Sequence, residues 1–263
     1  MVVLTAIVAV AARIGDAEHP EITNSSLEFQ KSTAASIARL KEEGFARQLE
    51  TPSLGSNSDE QFEKLLASIK AEAPISNVDK FQSGIVYDVV LQPGHYGRPP
   101  GPVGTAGQLV SERALVSYMT NIAAQHLRRA NVSVLVVSAD HAPPGLRSKV
   151  FLAIHADGSV TPCATGPSLA YQSNSSLLAM HAVGWSLGAA LGYSYTDFNR
   201  DNFTVNEAKY YMFRRVQADR LTGLLEVGEL TCSKSERQLI KSANLVGANI
   251  ARALQFIVQT PQN

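Results

Sequence analysis

Two kinds of hydrophobic pattern divide the chain. From residue 84 onward, short apolar runs rich in β-branched residues alternate with longer segments whose apolar positions recur every three or four residues. Ile85–Leu91 (IVYDVVL), Val132–Val137, Lys149–Ile154 (KVFLAI) and Leu221–Val227 (LTGLLEV) predict strands, the first stopped by Pro93-Gly94. Ser111–Arg129 predicts a helix with Ser111 as its N-cap and Leu115, Met119, Ile122 and His126 along one face. Ser175–Leu191 predicts a second helix, softened by Gly184 and Gly188. Ser233–Ile257 predicts a third, opened by a capping box of Ser233 and Glu236, with Leu239, Ala243, Val246, Ile250, Leu254 and Ile257 at helical spacing. Nearly continuous apolar strands that alternate with helices point to an α/β fold: a largely parallel twisted sheet with helices on both faces.

Residues 14–80 read differently. They are polar, lack β-type runs, and hold two stretches of helical composition, Ser26–Leu49 and Ser58–Ala71, separated by ETPSLGSN with its Pro and Gly breakers. The expectation is a helical N-terminal extension of unknown role. Before it, Val2–Ala12 (VVLTAIVAVAA) is apolar and ends in small residues like the core of a signal peptide, yet no Lys or Arg precedes it. A buried strand or helix is the other reading of residues 1–13. At this length the run is too short to span a bilayer, and no later stretch is long enough to do so.

Composition then removes some classes of function. Of 263 residues 45% are hydrophobic and 17% charged, which is ample for a packed core. Lys plus Arg and Asp plus Glu each number 23, so the formal net charge is zero, and no basic stripe with interleaved aromatics marks a nucleic-acid surface. Cys163 and Cys232 are too few for a cysteine zinc cluster. They are open to two readings, one disulfide in an exported protein or two small buried thiols.

In parallel α/β sheets, active sites form beyond the carboxyl ends of the strands. The first strand runs into Gln92-Pro93-Gly94-His95-Tyr96-Gly97, a tight turn that presents His95. The strand KVFLAI runs into His155-Ala156-Asp157-Gly158. Glu112 opens a helix, where the N-terminal dipole keeps a carboxylate ionised. Two histidines and a carboxylate make a three-ligand set for zinc that leaves a fourth position for water. Taken singly, each has a blander reading: a loop histidine with a hydrogen bond, or a Glu decorating a helix start. Glu226 lies amid Leu224, Leu225 and Val227, where a carboxylate is costly to bury unless paired or used.

The segments VVLQPGHYG, SERALV, FLAIHADG and LLEVGELTCSKSE resemble, in order, the signatures of zinc-dependent N-acetylmuramoyl-L-alanine amidases of the amidase-3 type, over about residues 84–258. The resemblance implies one zinc ion bound by His95, Glu112 and His155, with Glu226 as the catalytic carboxylate. It implies hydrolysis of the amide between the lactyl group of N-acetylmuramic acid and L-alanine in peptidoglycan or muropeptides. That substrate places the protein in the periplasm or cell wall rather than the cytoplasm, although a cytoplasmic recycling enzyme or a phage lysin stays open. No protein activator is legible. The chain departs from the family at Gln92, where the family has Asp; at Tyr96, in place of Gly; at Asp140–Ser148, which replaces a helix; and at Glu229, in place of an aromatic or branched residue.

Other residues are weighed and set lower. Asp157 is a candidate to orient His155, Glu229 to replace Glu226 as base, and the Arg214-Arg215 pair to grip a stem-peptide carboxylate or simply to be solvated. Tyr210 and Tyr211 are expected to pack, and His126, His141 and His181 to be structural. Two rival functions stay open: a carboxypeptidase-like zinc peptidase acting on free peptides, and a non-catalytic wall-binding protein.

Overall fold

Each apolar run forms a strand, because a parallel strand covered on both faces is stable only when nearly every side chain is apolar. The structure, a computed structural model, describes residues 34–51, 59–75, 78, 80–98, 103–193, 207 and 209–261. The signal-like segment, His19 and the start of the first predicted helix lie outside these residues. Apart from residues 34 and 35, the described residues belong to one compact unit, Ser36–Asn263.

The strands are β1 (Val86–Pro93), β2 (Val134–Val136), β3 (Arg147–Asp157), β4 (Ser168–Tyr171) and β5 (Gln217–Glu229), in the order β2-β1-β3-β5-β4. The first four in that order run parallel, and β4 is antiparallel to β5. The sequence reading did not include β4. Four residues between Pro167 and a polar turn are too few to show a period.

Among the α-helices are α1 (Asp59–Lys70), α2 (Glu112–Arg129), α3 (Leu177–Leu191), α4 (Ser233–Lys241) and α5 (Ala243–Gln259). Side chains alternate across the sheet. Val89, Leu91, Val150, Leu152, Ile154 and Leu225 join one buried cluster with the α-helices. Val90, Leu135, Phe151, Ala153 and Leu224 join a second with Met212 and Phe213. Those last two belong to a 3-10 turn, Tyr211–Arg214. Helical cover is therefore present on both faces, in α form on one and as this single turn on the other among the described residues.

Ser111 caps α2 as expected, its hydroxyl accepting from the Ala114 N–H at 3.2 Å. The long C-terminal helix is two helices, however, broken at Ser242 (φ −98°, ψ 4°). The apolar period runs through the break because α4 and α5 turn their apolar sides to the same core. The capping box does not form either. Cys232 is the N-cap of α4, and the Glu236 carboxylate instead accepts from the N–H groups of Gln108, Leu109 and Val110 at 2.8–3.1 Å.

From Ser36 onward the described part of the N-terminal extension packs into the main core. Residues 34–42 are helical, Phe45–Gln48 form one further turn, and Leu40, Phe45, Phe62, Leu66 and Ile69 are buried with α2 and α5. The Asn249 amide, itself fully buried, accepts from the Glu50 N–H at 3.0 Å and donates to the Glu50 carbonyl at 2.8 Å. This pairing satisfies backbone groups that would otherwise be stranded at the edge of the core.

Candidate metal centre

The sheet register brings the site together. β1 and β3 are neighbours, with Pro93 opposite Ile154, so the turn after β1 and the end of β3 lie side by side. Gly94 donates its N–H to the Ile154 carbonyl at 2.9 Å. His95 follows with φ 60°, a left-handed conformation uncommon for a residue with a side chain. On the other side of β3, Glu226 of β5 is the register partner of His155.

The loop 103–111 then folds back over these ends. Glu112 donates its N–H to the Thr105 carbonyl at 2.8 Å, while its own carboxylate accepts from the Thr105 N–H at 2.9 Å. Glu236 holds the next stretch of this loop from α4, as described above.

His95, Glu112 and His155 thus converge, one donor atom from each lying within 4.8 Å of the others. Glu112 Oε1 is 2.8 Å from His155 Nδ1 and its Oε2 is 3.3 Å from His95 Nε2. Burial by itself would raise the Glu112 carboxyl, but the hydrogen bonds from His155 and His95 outweigh it and bring the pKa down to about 2. The space around the donors is kept open by glycine. A Cβ on Gly104, whose φ is +80°, would come within 2.1 Å of Glu112 Oε2 and 2.7 Å of His95 Nε2; one on Gly94 would meet His155 Nδ1 at 2.7 Å.

Two imidazoles and an ionised carboxylate in a glycine-lined cradle fit a divalent ion of the zinc type. Among the described residues this is the one cluster of such donors that could hold a metal.

Glu226 is in a different state. It is buried, and its Oε2 has no hydrogen-bond partner. Burial first, then the charges of Glu112, Asp157 and Glu207, push its carboxyl well above the usual carboxylate range.

Solved structures share this arrangement of strands and helices. An N-acetylmuramoyl-L-alanine amidase from Clostridium difficile 630 superposes over 67% of this chain and 99% of its own, with 18% identity and a TM-score of 0.50. The chain shares that amidase's fold. The catalytic domain of the amidase CwlV from Bacillus (Paenibacillus) polymyxa var. colistinus superposes over 65% of this chain and 97% of its own, with 22% identity and a TM-score of 0.48. No protein-family model matches the sequence, and no curated protein matches it.

Within this amidase fold several residues depart from their sequence readings. Asp157 does not orient His155. Both ring nitrogens of that histidine are taken, by Glu112 at 2.8 Å and by the Tyr210 hydroxyl at 3.4 Å, and Asp157 accepts instead from the Gly158 N–H at 2.7 Å. Glu229 is no free base. It accepts from the N–H groups of Cys163 and Thr165 and from the hydroxyls of Thr165 and Thr231. These bonds outweigh its burial and lower its pKa.

Arg214 and Arg215 are exposed. His181 is buried in α3, and burial lowers its pKa to about 4. Cys163 and Cys232 are joined by a disulfide, which ties the loop after β3 to the loop after β5.

Sequence reasoning missed two groups around the histidines. Arg98 donates to His95 Nδ1 at 2.7 Å and is paired with Asp140 through two of its nitrogens. Tyr210, assigned only to packing, stacks edge-on against His155 with ring centroids 5.6 Å apart, and its hydroxyl donates to Gln92 Oε1 at 2.6 Å. The one available signal was Gln92 itself, a departure from the family motif at the end of a buried strand.

Proposed function

We propose that this protein is a zinc-dependent N-acetylmuramoyl-L-alanine amidase, cutting the amide that joins the lactyl group of N-acetylmuramic acid to L-alanine in peptidoglycan or muropeptides. Residues 84–258 form its catalytic domain, and it works in the periplasm or cell wall. No described helix is long and apolar enough to cross a membrane. The reading rests above all on the convergence of His95, Glu112 and His155 next to a buried carboxylate, Glu226, that has a free oxygen. The amidase fold supports it.

His95, Glu112 and His155 would hold the metal. A zinc ion bound there supplies Lewis acidity toward the amide carbonyl and makes water more acidic. Glu226 takes the proton of the attacking water on its unpartnered oxygen and returns it to the leaving amine. A carboxyl held above the ordinary range is suited to this, since it gives the proton back readily near neutral pH. Glu112 stays ionised throughout and keeps both imidazoles turned inward.

Elemental analysis should find about one zinc per chain in the native protein and a large loss in His155→Ala. Digestion of intact wall should release stem peptides with a new L-alanine amino terminus. Cleavage confined to free stem peptides would make the protein a zinc peptidase instead. Wall binding with no product at all would leave only a wall-binding role.

A further inference from the structure

The fully buried Gln92 amide has an orientation that can be read without ambiguity. One neighbour of its side chain is the Ser138 backbone carbonyl, 3.0 Å away, which can only accept. The nitrogen of the amide must therefore face Ser138, and it also lies 3.1 Å from the Tyr211 hydroxyl. Tyr211 is in turn held by the Asp140 N–H at 2.8 Å. The amide oxygen is left facing Tyr210, and at 2.6 Å it accepts the phenol's single hydrogen.

That hydrogen is consequently not available to His155. Toward His155 Nε2, 3.4 Å away, the Tyr210 oxygen offers only lone pairs, and the contact is favourable only if Nε2 carries a hydrogen. In the neutral imidazole that binds a metal the other nitrogen bears the lone pair, and that nitrogen is Nδ1, whose hydrogen bond to Glu112 in this structure the ion would replace.

We infer that Gln92 and Tyr210 form a relay that fixes the tautomer of His155, presenting Nδ1 as its metal-binding atom. Both are positioning residues: neither touches the ion, and both act through His155. The inference rests on the metal-centre reading above and adds to it how a residue absent from the resembled motif is used. Glutamine suits the task because it accepts from Tyr210 with one end while its other end is anchored on a carbonyl. A group there that gave Tyr210 nothing to donate to would free the phenol hydrogen to turn toward His155 Nε2, favouring the tautomer with hydrogen on Nδ1.

Zinc affinity of the full chain, measured by competition with a chromophoric chelator, separates this relay from simple packing. Tyr210→Phe removes the acceptor and should weaken binding about tenfold. Gln92→Met should weaken it further, about a hundredfold, because Tyr210 then stabilises the wrong tautomer. Gln92→Met with Tyr210→Phe should bind as Tyr210→Phe alone does, a partial rescue that additive packing losses would not give.

A double variant weaker than Gln92→Met, in a chain whose native form binds zinc, would overturn the relay alone. A native chain that takes up no zinc would remove the metal-centre reading and the relay with it. Should Gln92→Met not fold, nitrogen NMR of the imidazoles in the unmutated, zinc-loaded chain tests the same point. Hydrogen on His155 Nε2 is the expected result, and hydrogen on Nδ1 would sink the inference.

Discussion

Glu226 and Glu229 stand three residues apart at the end of β5, both buried, and their surroundings are opposite. Glu229 accepts hydrogen bonds from two backbone N–H groups and two hydroxyls, joining it to the disulfide-tied loop after β3. Glu226 lies opposite His155 in the sheet register, with one oxygen bonded to nothing. The same side chain is thus a structural tie in one place and an uncompensated cost in the other. Burial of a carboxylate is weak evidence of function; burial without partners is far stronger.

The contrast can be broken most sharply at Glu226. Glu226→Gln should cut turnover on wall by about a thousandfold or more while zinc stays bound, and the melting temperature should hold or rise because an unpaired charge site is removed. Assays of turnover, zinc content and melting on one preparation check all three. Full activity in this variant would take Glu226 out of the mechanism.

On the other side, Cys163→Ser with Cys232→Ser opens a crosslink with a sequence separation of 69. By loop entropy this should cost about 4 kcal/mol in denaturant unfolding. Next comes Glu229→Ala, which strands four partly buried donors and should cost about 2 kcal/mol. If that variant were as stable as the native chain, the tie would be decorative.

The smallest effect, and the most diagnostic, is pH dependence of opposite sign. Glu229 has its pKa lowered, so its contribution is present above the ordinary carboxylate pKa and is lost as pH falls through the lowered value. Glu226 has its pKa raised, so the stability linked to its neutral form is present below the ordinary value and is lost as pH rises through the raised one. Urea midpoints across acid and neutral pH should show Glu229→Gln flattening the acid loss and Glu226→Gln flattening the loss toward higher pH.

These two residues also mark how far the sequence can be read. The strands β1, β3 and β5 were visible because full burial forces unbroken apolar runs, and that same rule singled out Glu226 as an exception. Glu229 read only as a candidate base, since nothing local shows that the donors of residues 163–165 arrive from across a disulfide. Glu236 misled for a similar reason. Its spacing from Ser233 suits a capping box, but the backbone groups it satisfies lie more than a hundred residues earlier.

Tyr210 was illegible as a partner of His155 because the contact depends on the 3-10 turn lying against the sheet, not on any pattern near either residue. The break at Ser242 escaped because a hydrophobic period reports which core a helix faces and not whether its axis is continuous.

The buried amide of Asn249 bears on where this molecule could be cut. It clasps Glu50, and nearby Leu40, Phe45, Phe62, Leu66 and Ile69 are interleaved with α2 and α5. A polypeptide begun at residue 84, where the resemblance starts, would bare that greasy flank and lose about 2 kcal/mol for each of the missing apolar side chains. The buried interior is shared across that point, and trimming there should yield aggregate rather than a smaller working unit.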